Sequence, residues 1–327
     1  MADWWVERGI GETRAILIGG DRILEARIEP DGGLTAGTVI DARLVRRIPA
    51  RNQGIVEWAD GQALVSPLPP GITQGAMCRI EITRPATPEP GKPKRARARP
   101  AAHDAVVGPA PTLADRLPGA RVPPRFGPDP FEQAGWSEVL EEAETGLIRF
   151  AGGSLSIHPT PAMTLFDADG ELAPLDLGMA AARAAGAAIR RLDIAGSIGI
   201  DLPTVEDKAA RIAMAEALDQ TVPPPFERTA VNGFGFVQIV RRRERLSLPE
   251  LYALDPAAWA ARALIRRAER SIGHGERLIA AHPDVVAAIA ANPGWTDRLA
   301  ARLGAPVTLQ PDPALRISGG HVQPRHA

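Results

Sequence analysis

The chain opens on regular alternation of apolar and polar positions. Between Trp4 and Pro30 lie three strand-like runs, WWVERG, TRAILIG and RILEARIE, with Gly9-Ile10-Gly11 and Gly19-Gly20-Asp21 as turns. This pattern predicts an antiparallel meander. A second set follows: GTVIDARLVRRI, QGIVEW, ALVSPL and MCRIEITR, with turns at Ala59-Asp60-Gly61 and Pro69-Pro70-Gly71. Its spacing is that of a small all-β barrel over residues 36–84. Periodicity then fades. Residues 85–130 are rich in proline and carry the basic run Lys92 to Arg99, which predicts a semi-extended linker or a reduced, loosely ordered insertion.

Order resumes with a helix near Phe131 to Glu144. After it come the strands SLSIHP and AMTLFDAD, an Ala-rich helix near Leu177 to Leu192, the strand IGID, and a helix from Thr204 to Gln220. The strand FGFVQIV then runs into Arg241-Arg242-Arg243. Alternation of this kind gives helices packed on a mixed sheet over residues 131–255. The tail, 256–327, reads as a small α/β unit with a helix through Arg270, a strand at Arg277 to Ala280, and helices at Asp284 to Ala291 and Trp295 to Leu303. The strands PVTLQ and ALRIS close it, and no internal repeat is visible.

Composition narrows the chemistry. A net charge of −1 over 327 residues gives no bulk basic field of the kind that announces a nucleic-acid binder. Lysine occurs only at Lys92, Lys94 and Lys208, and the remaining cations are arginines. With so much Ala, Gly and Pro, that skew reads as coding composition, so only local clustering of arginine carries meaning. A single cysteine, Cys78, excludes an internal disulfide and a Cys-based zinc cage, and reads as a small core residue. No stretch has the form of a signal peptide or the length of a membrane helix, which points to a soluble, cytoplasmic protein. Any metal would have oxygen or imidazole ligands.

Two apolar strands run into acids. In AMTLFDADG the strand ends on Asp167, with Asp169 two residues on and on the same side. In AGSIGIDLP it ends on Asp201 before Pro203. If these strands are neighbours, the two carboxylates come close enough to share a cation, and Mg²⁺ suits one or two carboxylates completed by water and substrate phosphate. An Asp after a strand is also a common helix N-cap, and Asp201 precedes a helix, so pattern alone leaves both readings open. The same holds elsewhere. Arg43, Arg46, Arg47 and Arg51 can track phosphates and Trp58 can stack on a base, or the arginines form a solvated face and Trp58 is core. Lys92 to Arg99 is a phosphate-binding arm or a solubilising linker. Arg241 to Arg243 and Arg245 contact RNA backbone or make surface ion pairs. His158 reads as a sheet residue rather than a ligand.

The segment Gly152-Gly153-Ser154-Leu155-Ser156-Ile157-His158-Pro159-Thr160-Pro161-Ala162, leading to Leu165-Phe166-Asp167-Ala168-Asp169-Gly170, resembles a motif of the ribonuclease E/G family. That motif is a Gly-Gly, a strand, an Asn/Glu-Pro-Thr-Glu-Ala-like stretch and Asp-x-Asn. Gly199-Ile200-Asp201 is similar to the family's Ile-Asp-Phe, followed by Lys208 and Arg211 as in its Lys/Arg-x-x-Arg-like helix. Asn232 to Arg243 resembles its Gly-Leu-(Val/Leu)-Glu-(x)-(Ser/Thr)-Arg-x-Arg block, and Thr13 to Leu17 the opening of its catalytic core. The blocks keep the family's order over most of the chain.

The resemblance implies a mixed α+β protein with a ribonuclease-H-like core. Residues 1–35 and 131–255 would form the catalytic part, with an OB-type RNA-binding barrel inserted at 36–84 and a small C-terminal α/β unit at 256–327. Asp167, Asp201 and, in the outer shell, Asp169 match the metal and catalytic positions for Mg²⁺, with Mn²⁺ as a substitute. RNA contacts are expected from Arg43, Arg46, Arg47, Trp58, Lys208, Arg211, Arg241 and Arg243. The implied activity is endonucleolytic cleavage of single-stranded RNA leaving a 5′-phosphate on the downstream product, in RNA processing or decay.

Departures qualify that expectation. Where the family has its zinc-link Cys-Pro-x-Cys, this chain has Ser247-Leu248-Pro249-Glu250, so no zinc and no zinc-linked dimer are expected. The 5′-end sensor has no counterpart in residues 85–130, Asp169 replaces an Asn, and Thr204 stands where the family has a further acid. The alternative to a nuclease is an RNA-binding relative that has lost efficient cleavage; a different metal phosphoesterase on a similar core is a third reading.

Overall fold

The computed structural model describes residues 2–86, 94–160 and 162–325. The N-terminal alternation folds as β1 (Ala2–Arg8), β2 (Glu12–Gly19) and β3 (Arg22–Pro30), an antiparallel sheet in the order β1-β2-β3. Next come β4 (Val39–Ile48), β5 (Gln53–Trp58), β6 (Gly61–Val65), β7 (Met77–Arg84) and β8 (Ala96–Pro100). They close into a barrel, β4-β5-β6-β8-β7, in which β6 and β8 are the parallel pair. This strand order is compatible with an OB-type barrel.

The closing strand lies inside the stretch expected to be a linker. The inward residues of β8 are Ala96 and Ala98, and Arg97 and Arg99 face out, so it carries almost no apolar signal. Burial comes instead from Leu44, Val56, Val65, Ile80 and Ile82 around it. Lys92 and Pro93 of the basic run fall outside the described residues. Cys78 packs half-buried against this core; burial, with Asp41 nearby, pushes its thiol pKa up.

The single helix expected over 131–144 is two, α1 (Pro130–Gln133) and α2 (Trp136–Thr145), broken where Gly135 takes φ +94°. Beyond them run β9 (Leu147–Phe150), β10 (Gly153–Pro159), β11 (Thr164–Gly170), α3 (Pro174–Arg191), β12 (Gly196–Asp201), α4 (Lys208–Asp219), β13 (Glu227–Arg228) and β14 (Phe236–Arg241). Their strands form a six-stranded mixed sheet, β13-β14-β12-β11-β10-β9. The tail contains α5 (Leu248–Leu254), α6 (Pro256–Glu269), β15 (Glu276–Ala281), α7 (Pro283–Ala290), α8 (Gly294–Leu303), β16 (Val307–Pro311) and β17 (His321–Arg325). Its sheet is β16-β15-β17. ALRIS is not a strand: the Asp312 side chain accepts the Ala314 N–H at 2.9 Å and holds the segment in a turn.

The chain divides into two compact units. One joins Met1–Asp31, Leu117–Thr145 and Leu248–Ala327; the other joins Gly32–Arg116 and Gly146–Ser247. The strands of residues 1–31 therefore belong with the tail, whereas the resemblance groups them with the catalytic core. The first unit holds a buried network of ion pairs beside its apolar core. Arg14 is fully buried between Glu12 (2.5 Å) and Glu7 (3.0 Å), and Arg266 pairs with Glu7 (2.8 Å), Asp129 (2.7 Å) and Glu132 (2.9 Å). The Arg266 guanidinium also lies over the rings of Phe131 and Trp136. Burial alone would raise the Glu7 carboxyl, but Arg266, Arg14 and Arg270 around it hold its pKa down at about 2. Among the described residues no helix is long and apolar enough to cross a membrane.

Candidate functional site

The six-stranded sheet has two unlike faces, and the period of two along each strand sorts them. Ile148, Leu155, Ile157, Phe166, Ile198, Ile200, Val237 and Ile239 point to one side and are buried. There α3 covers β9 to β11, and Met214 of α4 packs on α3 at Gly178. Each such side chain contributes about 1.5–3 kcal/mol on full burial, which fixes the register. The alternate residues, Arg149, Ser154, Ser156, His158, Asp167, Asp169, Asp201 and Gln238, interspersed with Leu147, Leu165 and Phe236, form a largely polar face that is exposed or half-exposed.

Asp167 and Asp201 meet on that face. Their strands, β11 and β12, are parallel neighbours, and the register pairs Phe166 with Ile200 and Asp167 with Asp201. Paired residues point the same way, and strand spacing sets the two backbones about 4.8 Å apart. Both side chains are exposed, and neither has a hydrogen-bond or ion-pair partner among the described residues. The row continues to Ser156 on one side and Phe236 on the other. Asp167 is not the end of its strand, since β11 runs on to Gly170 paired with β10. Only the pairing with β12 ends there. Asp169 shares the face, but its Oδ1 accepts the N–H of Gly170 at 2.9 Å.

The helix-cap alternative for Asp201 is removed. The cap of α4 is Asp207, whose carboxylate accepts N–H bonds from Ala209 (3.2 Å) and Ala210 (2.9 Å). Between the strand and that helix, Thr204 donates its hydroxyl to the carbonyl of Phe234 at 3.1 Å. Thr204 thus ties two loops beside Asp201.

The expected RNA-binding cations fall in different places. Lys208 is exposed at the first turn of α4, but Arg211 donates to the carbonyls of Val205 (2.9 Å) and Glu206 (2.6 Å). Arg241 and Arg243 donate to the carbonyls of Ile194 (2.7 Å) and Ala195 (3.1 Å), and Arg245 pairs with Asp193. They brace the loop entering β12 at Gly196, roughly 16 Å along the strand from Asp201. The structure does not bring them to the acid pair. On the barrel, Arg46, Arg47 and Arg51 are exposed, Arg43 donates to the carbonyl of Gly75 at 3.1 Å, and Trp58 is half-buried against the barrel core. Arg149 was not singled out by the sequence, yet it is an exposed cation on the acid face, in one row with Ser154 and Asp169. The alternation in LIRF, with Ile148 inward, is the signal that would have found it.

The donor set can be tested against a metal. Two side-by-side carboxylates with no cation bonded to them fit Mg²⁺, which takes one or two protein carboxylates and completes its shell with water and phosphate. Among the described residues no group of three or more His, Cys, Asp or Glu is placed to hold a metal ion. No family model and no curated protein matches this chain.

Proposed function

We propose that the chain is a Mg²⁺-dependent endoribonuclease acting on single-stranded RNA. The in-register pair Asp167 and Asp201, side by side on an open polar sheet face, carries this reading. Asp167 and Asp201 would hold the ion, with Asp169 one row away acting through its hydrogen bonds. Bound there, Mg²⁺ supplies an acidified water and neutralises charge on the phosphoryl oxygens.

The remaining work belongs to the chain. Hydrolysis adds water oxygen to phosphorus and breaks the P–O3′ bond, leaving a 3′-hydroxyl upstream and a 5′-phosphate downstream. The carboxylates orient the water. Arg149 and the hydroxyls of Ser154 and Ser156 offer donors to phosphate oxygens on the same face, countering the acids' repulsion of the RNA backbone. The barrel is the natural RNA-holding module: its strand order suits an OB-type reader, and Arg46 and Arg47 are exposed.

The second reading, an RNA-binding relative without efficient cleavage, is favoured by one observation. The ligand set stops at two free carboxylates, with Asp169 engaged by its own backbone. An end-labelled, A/U-rich single-stranded RNA separates the two. Mg²⁺-dependent internal cuts with 5′-phosphate ends are expected; RNA binding without such cuts would transfer the chain to the second reading.

A further inference from the structure

Phe234 is 81% exposed, an unusual setting for a phenyl ring, and the backbone that carries it is pinned. The Asn232 side-chain oxygen accepts N–H bonds from Phe234 (2.9 Å) and Phe236 (3.0 Å), and its carbonyl accepts from Gly235 at 3.1 Å. Thr204 holds the Phe234 carbonyl, and the Leu202 N–H reaches the Gly235 carbonyl at 3.3 Å. Gly235 takes φ +88°, and a Cβ there would lie 2.0 Å from the Leu202 carbonyl oxygen, so only glycine lets the two loops approach this closely. The loop is therefore a rigid display for one apolar ring.

Its place is specific. Phe236 is the register partner of Asp201, and the Leu202 N–H that follows Asp201 bonds the Gly235 carbonyl, so the Phe234 turn stands at the Asp201 end of the sheet. The Phe236 ring, by contrast, is laid over Gly199, where a Cβ would meet it at 2.6 Å. Phe236 is packing; Phe234 has no such bed. A rigid, uncharged aromatic ring beside a phosphate-cutting site has one chemical use that the neighbouring acids do not oppose, which is stacking on a nucleobase.

We infer that Phe234 is a stacking platform for an unpaired base flanking the scissile phosphate. This rests on the RNA-cleaving reading above and adds to it a requirement for a splayed, single-stranded base next to the cut, indifferent to base identity because every base has a π-face.

The test uses the full chain, Mg²⁺-free buffer, and two probes of equal length: a labelled oligouridylate and an abasic oligomer with the same backbone. Phe234→Ala is expected to weaken oligouridylate binding roughly 5- to 150-fold and leave abasic binding unchanged. Phe234→Trp should retain the preference for the base-bearing probe, and Phe234→Leu should behave as Ala. The slope of affinity against salt should not change, because no charge is lost. Equal weakening of both probes, no weakening of either, or full rescue by Leu would overturn the inference. A wild-type chain that binds and cuts RNA while Phe234→Ala behaves as wild type sinks the stacking platform alone. A wild-type chain that neither binds nor cuts sinks the nuclease reading, and the platform with it.

Discussion

Asp167→Asn and Asp201→Asn each remove one charge from a pair that stands side by side on β11 and β12. At a spacing of about 4.8 Å, two unit charges in water repel by about 0.9 kcal/mol, and physiological salt screens this to about 0.5 kcal/mol. In metal-free buffer either substitution should therefore stabilise the fold, raising the unfolding midpoint by about 1 °C. The double substitution should gain no more than either single one, because removing one charge already ends the repulsion. The cycle is thus non-additive by roughly the repulsion itself. Mg²⁺ should reverse the order. An ion held by both carboxylates at about 100 times its dissociation constant stabilises the wild type by about 2.7 kcal/mol, a gain the variants largely lose. Thermal or urea unfolding with EDTA and with Mg²⁺ reads all four proteins. Destabilised single variants in EDTA, additive effects, or an order unchanged by Mg²⁺ would show that the two carboxylates neither repel nor share an ion.

Glu7→Gln leaves Arg14, Arg266 and Arg270 facing a neutral amide and should cost about 3–5 kcal/mol in urea unfolding. The Glu7 carboxyl is held at about 2 against an ordinary 4.5, so it contributes about 3 kcal/mol that is fully present above pH 4.5 and lost as pH falls towards 2. The acid limb of the stability profile should flatten in Glu7→Gln. Gly235→Ala should shift the Phe234 loop and lower oligouridylate affinity towards that of Phe234→Ala, at a cost of about 1–3 kcal/mol in stability. Arg46→Ala with Arg47→Ala should lower the slope of log affinity against log salt by about 1.4, as loss of two phosphate contacts requires. Arg243→Ala should leave that slope alone and cost about 0.5–1.5 kcal/mol in unfolding, since its guanidinium serves the Ala195 carbonyl.

The alternation of β1 to β3 and of β10 to β12 was legible because one face of each strand is buried and the period is short. The acid pair was legible only as a condition, since adjacency of β11 and β12 is a property of the sheet. Elements whose stability comes from neighbours were hidden. β8 buries only alanines and depends on β6 and β7 to pair it; β17 is a polar run containing Pro324, paired by β15. The membership of the N-terminal strands was equally hidden. It rests on Glu7 and Glu12 meeting arginines of α6 more than two hundred residues away, and no local pattern encodes such a pairing. The block Asn232 to Arg243 reads in sequence as a stretch of basic RNA contacts. In the structure Arg241 and Arg243 brace backbone carbonyls, Arg242 is exposed beside Glu244, and the ring presented to solvent is Phe234.

The decisive measurement is cleavage of an end-labelled single-stranded RNA by wild type, Asp167→Asn and Asp201→Asn at saturating Mg²⁺, with binding of the same RNA followed in parallel. Wild type should cut internally, both variants should lose cutting by orders of magnitude, and all three should still bind. Cutting that survives in both variants would contradict the placement of the site, and a wild type that binds RNA yet never cuts would contradict the nuclease itself.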